Sequence, residues 1–154
     1  MPTPTPSLGS TAPVFALPDQ DGNTVRLADF RGRKVVLYYY PTDDTSGCTT
    51  QACDVRDRIA EFDAKDAVVL GVSPDVVASH EKFRRKYDLN FTLLADADHA
   101  VAELYGVWKE KSLYGRTDWG NERTTFVIDE NGRILDVLER VKPAAHAAQV
   151  LDLL

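Results

Sequence analysis

The sequence has 154 residues, 44% of them hydrophobic and 27% charged, which suits one domain with a single core and not two. Eighteen Lys and Arg against 24 Asp and Glu give a net charge of -6. The charges are interspersed, which excludes a basic face for nucleic acid or an anionic membrane. No apolar run approaches the roughly 20 residues of a membrane helix. Met1–Ser10 has neither the basic start nor the apolar stretch of a secretory signal. Two cysteines are too few for a disulfide scaffold. A cytoplasmic protein without a membrane partner is expected.

Residues 1–10 alternate Pro with Thr at the start and read as a short, extended, mobile tail before a domain over 11–154. Val14–Leu17 and Thr24–Leu27 flank Asp19–Asn23, whose turn chemistry predicts a β-hairpin. Lys34–Tyr40 (KVVLYYY) reads as a strand buried on both faces, ended by Pro41. Ala52, Val55, Ile59 and Phe62 recur at helical spacing and predict a helix from about Cys48 to Ala64. Ala67–Val72 is a second buried strand. Ser73-Pro74-Asp75 caps a helix running to Tyr87. Phe91–Leu94 is a third strand and His99–Tyr105 a short helix stopped by Gly106. Lys109–Glu122, with Gly115 and Gly120, reads as irregular. Thr124–Ile128 and Arg133–Leu138 flank the Asn131-Gly132 turn, and Pro143 opens a last helix. Strands alternating with helices, followed by a hairpin, predict an α/β fold with a mixed central sheet flanked by helices.

Cys48 falls at the first turn of a helix that follows a strand, where functional groups gather in open α/β sheets. Free N–H groups and the helix dipole there stabilise a thiolate over a thiol. A buried small hydrophobe is the other reading of this cysteine, and its Thr/Ser/Asp-rich loop argues against it. Cys53 lies five residues on. If both are helical, their Cα atoms stand roughly 8.6 Å apart, beyond the ~7 Å limit for a disulfide. A bond between them therefore requires the helix start to unwind.

No spacing of Cys48, Cys53, His80, His99 and His146 matches a structural zinc site, and His80 and His99 read as solvated surface. Asp43 and Asp44 read as exposed loop charges or as an acid–base pair. They oppose a nearby thiolate, so a cation is needed. Arg123, leading into an apolar strand, is either that cation or a residue snorkelling at a strand end.

The segment Leu37–Asp57 (LYYYPTDDTSGCTTQACDVRD) resembles the peroxiredoxin active-site stretch, closest to the bacterioferritin-comigratory-protein or peroxiredoxin Q branch. Pro41, Thr45 and Cys48 meet its P-x-x-x-T-x-x-C signature. Ala12–Asp19, Asn90–Leu94, Gly106–Trp108 and Arg123–Asp129 extend the resemblance over nearly the whole chain. Ser46 departs from it, standing where the family commonly has proline.

The resemblance implies a thioredoxin-like fold with an added N-terminal hairpin, and a monomeric, cofactor-free antioxidant peroxidase. Cys48 would be the peroxidatic cysteine, attacking hydrogen peroxide or an alkyl hydroperoxide and becoming a sulfenic acid. Cys53 would resolve it as an intramolecular disulfide, reduced by a thioredoxin-like partner. Thr45 would hydrogen-bond the peroxide or the thiolate. Arg123 would stabilise the thiolate and polarise the O–O bond. Pro41 would shape and shield the loop. A thiol–disulfide oxidoreductase and a redox-sensing binding module are the rival readings. Neither accounts for Pro41, Thr45 and Arg123 together.

Overall fold

The computed structural model describes residues 5–113 and 116–154, with the backbone alone for 111–113 and 116–117. Its centre is β3 (Lys34–Tyr39), whose side chains alternate between two cores. Val36, Tyr38 and Tyr40 face one core; Val35, Leu37 and Tyr39 face the other. An unbroken apolar and aromatic run is what such a strand needs, because neither face meets water.

Before β3 lie β1 (Ala16–Pro18) and β2 (Thr24–Arg26), which form the expected antiparallel hairpin. After it come α1 (Ser46–Asp57), α2 (Ile59–Ala64), β4 (Ala67–Ser73), α3 (Val77–Tyr87), β5 (Thr92–Ala95) and α4 (Ala100–Leu104). Then follow β6 (Trp108–Leu113), β7 (Arg116–Asn121), β8 (Thr124–Ile128), β9 (Ile134–Leu138) and α5 (His146–Leu153). The main sheet has the order β5-β4-β3-β8-β9. β3, β4 and β5 run parallel, while β8 and β9 are antiparallel to their neighbours. This is the mixed α/β sheet that the sequence predicts.

Three details differ from the sequence reading. The helix expected over Cys48–Ala64 breaks at Arg58 (φ -113, ψ 12), giving α1 and α2. Ser73-Pro74-Asp75 precedes the cap of α3, which is Val76. The irregular stretch expected over Lys109–Glu122 contains the paired strands β6 and β7. Its polar, charged residues lack the apolar alternation that marks a strand facing a core. Gly115 of that stretch lies outside the described residues, as do residues 1–4 of the N-terminal tail. Gly9 and Ser10 hydrogen-bond through their backbones to Ile134. At the Asn131-Gly132 turn, Gly132 has φ 79, and a Cβ there would stand 2.7 Å from the Arg31 guanidinium. No helix among the described residues is long and apolar enough to cross a membrane.

The sheet topology makes a site at one rim. β3 ends at Tyr39, where Pro41 has no N–H to continue the ladder. β8 runs antiparallel to it, with Thr124 opposite Tyr39. Arg123, one residue before β8, therefore arrives at the same rim as the loop leading into α1.

Candidate active site

Thr45 is the N-cap residue of α1, with extended backbone (φ -90, ψ 157). The Thr49 amide donates to the Thr45 carbonyl at 2.8 Å, closing the first helical turn. The N–H groups of Ser46, Gly47 and Cys48 precede that bond and have no intrahelical acceptor. Cys48 sits among these free donors, at the positive end of the helix.

Contrary to the expectation from its polar loop, the Cys48 side chain is buried, 2% exposed, and packs in the core cluster with Tyr38, Tyr40 and Ala52. Nη1 and Nη2 of Arg123 each point at its sulfur, both at 3.6 Å. Arg123 Nη1 also donates to Gln51 Oε1 at 2.7 Å. Gln51, fully buried three residues beyond Cys48, thus aims the guanidinium. Gly47 lets that guanidinium approach, since a Cβ there would stand 3.1 Å from Arg123 Nη2 and 3.4 Å from Pro143. A half-buried cation thus lies against a buried sulfur, where little water screens the pair.

The Thr45 hydroxyl donates to the Thr42 carbonyl at 2.9 Å, which leaves its oxygen lone pairs as acceptors. Pro41 is half-buried where β3 gives way to the loop. Cys53 is half-buried on α1, and both cysteines are free thiols. The structure thus brings Arg123 directly onto Cys48 and places Thr45 and Pro41 on the loop that leads to it. It holds Cys53 further along the same continuous helix.

Some expectations require correction. His80 is not surface: it is fully buried, and its Nδ1 lies 2.7 Å from Asp43 Oδ2. Asp43 is not exposed either, at 9%. Asp44 is exposed and pairs with Lys86 Nζ at 2.7 Å. Each carboxylate therefore has its own nitrogen partner, and Arg123 is left to the sulfur. His99 is partly exposed and stacks on Trp108, with ring centroids 4.0 Å apart. Among the described residues, Asp43, Asp75 and His80 are close enough together to ligate a metal. Their oxygens already accept from Tyr40, Ser73 and Ser79, which fits a hydrogen-bonded cluster better than a cation site.

Sequence reasoning missed Gln51 and His146. Gln51 has a legible signal, being a polar residue on the face of α1 that carries Cys48, Ala52 and Val55 inward. His146, at the start of α5, shares a 2.7 Å hydrogen bond with Thr125 Oγ1. Burial, then the nearby Arg123 charge, lower its pKa to about 4, so it stays neutral at pH 7. Burial and the neighbouring Cys48 and Asp43 push the Tyr38 phenol well above its usual range. The floor of the site is therefore uncharged, and Arg123 faces the sulfur without a competing ion.

A sequence profile of the AhpC/TSA family matches residues 8–137. Peroxiredoxin Bcp of Bacillus subtilis is 46% identical over 147 residues, covering 96% of this chain and 94% of that protein. Peroxiredoxin Bcp of Escherichia coli K12 is 47% identical over 144 residues, covering 94% and 92%. Among solved structures, a cysteine mutant of Xylella fastidiosa PrxQ superposes with a TM-score of 0.90 at 33% identity, covering 95% and 93%. The bacterioferritin comigratory protein of Xanthomonas campestris, studied for alkyl peroxide reduction, superposes with a TM-score of 0.85 at 38% identity, covering 90% and 88%.

Proposed function

The chain belongs to the AhpC/TSA family and is a thiol peroxidase, and from that premise we propose that Cys48 is its peroxidatic and Cys53 its resolving cysteine. The observation that carries the reading is the Arg123 guanidinium, both of whose terminal nitrogens lie 3.6 Å from the Cys48 sulfur at the free end of α1.

The Cys48 thiolate attacks the terminal oxygen of a hydroperoxide. The S–O bond forms as the O–O bond breaks, and the leaving oxygen departs as water or an alcohol after taking a proton. Arg123 and the N–H groups of the first turn stabilise the charge that moves from sulfur to oxygen. The Thr45 oxygen accepts from the hydroperoxide O–H and orients it. Pro41 keeps a non-donating residue beside the loop and limits water at the sulfur. Substrates are hydrogen peroxide and organic hydroperoxides, the second supported by the alkyl peroxide activity of the Xanthomonas relative.

The Cys53 thiolate then attacks the Cys48 sulfenic sulfur, releasing hydroxide as water and forming an S–S bond. Both residues lie in one unbroken helix, where a five-residue separation puts their Cα atoms about 8.6 Å apart. The first turns of α1 must unwind for the bond to form. A thioredoxin-like dithiol reduces the disulfide, its two thiols being oxidised in exchange. The setting assigned to this cycle is a cytoplasmic monomer whose domain spans residues 11–154.

Peroxide consumption with thioredoxin and thioredoxin reductase tests the roles. Cys48→Ser is expected to abolish turnover. Cys53→Ser is expected to keep one rapid oxidation and lose thioredoxin-driven recycling. Normal recycling by Cys53→Ser would contradict the resolving assignment. Disulfide reduction without peroxide consumption by the unaltered chain would point instead to a thiol–disulfide oxidoreductase.

A further inference from the structure

Two residues before the Thr45 cap, Asp43 is held by an unusually complete set of partners. Its Oδ1 accepts from the Tyr40 hydroxyl at 2.5 Å, and its Oδ2 accepts from Ser79 Oγ at 2.8 Å and His80 Nδ1 at 2.7 Å. His80 Nε2 donates to the Leu94 carbonyl at 2.8 Å. The Leu94 carbonyl can only accept, so Nε2 carries a hydrogen, and Nδ1 faces the Asp43 carboxyl in a buried contact. The Asp43 amide donates to Asp75 Oδ2 at 2.8 Å, and Ser73 Oγ donates to the same oxygen at 2.5 Å.

The next residue grips the other end of α3. Asp44 accepts from Lys86 Nζ at 2.7 Å and from the Tyr87 hydroxyl at 2.5 Å, and it holds a left-handed backbone with φ 59. Residues 43 and 44 are therefore fastened to the first and last turns of α3. The catalytic cycle uses none of these groups, although they sit immediately upstream of the segment that must unwind.

We propose that the buried Asp43–His80 pair is a positioning device that pins the upstream end of the peroxidatic loop and favours the helical, peroxide-reactive form of α1 over the unwound, disulfide-forming one. This inference rests on the Cys48 and Cys53 assignments above. Releasing Asp43 would leave buried polar partners unsatisfied, so the loop does not yield there. Unwinding is confined to the residues beyond Thr45, a short segment anchored at one end. Without the pin, residues 42–45 join the unwound segment, which gains freedom, and that form becomes more populated. His80 is a positioning residue: it acts on Cys48 through Asp43 and the loop.

The test is a partition. A Cys48 sulfenate that stays in the helical form meets a second hydroperoxide and becomes a sulfinate, with water or an alcohol as the other product. In the unwound form it becomes the Cys48–Cys53 disulfide. Mass spectrometry over a hydrogen peroxide titration reads the sulfinate-to-disulfide ratio in the full chain and its variants. Asp43→Asn and His80→Gln, whose amide reaches Leu94 but drops Asp43, are expected to lower the ratio about tenfold, the effect of one buried hydrogen bond. His80→Asn, whose amide nitrogen takes the place of Nδ1, is expected to stay near the unaltered chain.

Equal shifts in His80→Asn and His80→Gln would overturn the pin, since loss of ring packing alone gives that result. An unchanged ratio in Asp43→Asn and His80→Gln would overturn it too. If the buried histidine variants do not fold, Ser79→Ala at its half-buried site decides by the same sign: a lower ratio supports the pin and an unchanged one overturns it. Absence of oxidation at Cys48 in the unaltered chain would instead overturn the cysteine assignments, and the pin with them.

Discussion

The Cys48 sulfur receives both terminal nitrogens of Arg123, while Gln51 takes a second hydrogen from one of them. The guanidinium is thus aimed before any peroxide arrives, and little reorganisation remains for the reaction. Arg123→Ala is expected to slow the first oxidation about 100-fold, measured by stopped-flow fluorescence with limiting peroxide. Gln51→Ala is expected to slow it several-fold, because Gln51 acts only through Arg123. A larger loss in Gln51→Ala than in Arg123→Ala would show that Gln51 does not act only through Arg123. Gly47→Ala separates activity from stability. Alanine is the better helix former by roughly 1 kcal/mol, yet its Cβ would crowd Arg123 Nη2 at 3.1 Å. An unchanged or higher melting temperature with a several-fold slower oxidation is the expected pair of results.

α5 contributes to the site through His146, which lies fully buried beneath it. Burial and Arg123 lower its pKa to about 4 from 6.5. Above pH 6.5 the ring is neutral in folded and unfolded chains alike and adds no pH dependence. Below it the unfolded chain binds a proton that the folded one refuses until about pH 4. Stability therefore falls across that window by as much as about 3 kcal/mol. The difference between urea midpoints of the unaltered chain and His146→Gln, followed from pH 7 to 4, isolates this effect. A constant difference would contradict it. Elements were legible in the sequence where apolar spacing has one cause. KVVLYYY reads as a doubly buried strand because every residue after Lys34 is apolar or aromatic. The break at Arg58 and the pairing of β6 with β7 were not legible, because polar residues satisfy a hairpin or a coil equally well.

Across the whole molecule, the antiparallel placement of β8 beside β3 carries Arg123 over 75 residues of sequence to Cys48. The motif Pro41, Thr45, Cys48 was legible because it is local, and Arg123 because a charge leads an apolar strand. The roles of Asp43, His80 and His146 were hidden, because a polar residue in a helix or loop shows its burial only once distant elements pack on it. On the proposed roles, the same packing gives one helix two tasks: it must be intact to activate Cys48 and partly unwound to let Cys53 reach it. Intact-mass and peptide mass spectrometry after one equivalent of hydrogen peroxide tests that claim most directly. The account predicts a loss of two hydrogens, mapped to a Cys48–Cys53 bridge within seconds. A stable gain of one oxygen on Cys48, with Cys53 still a free thiol, would contradict it.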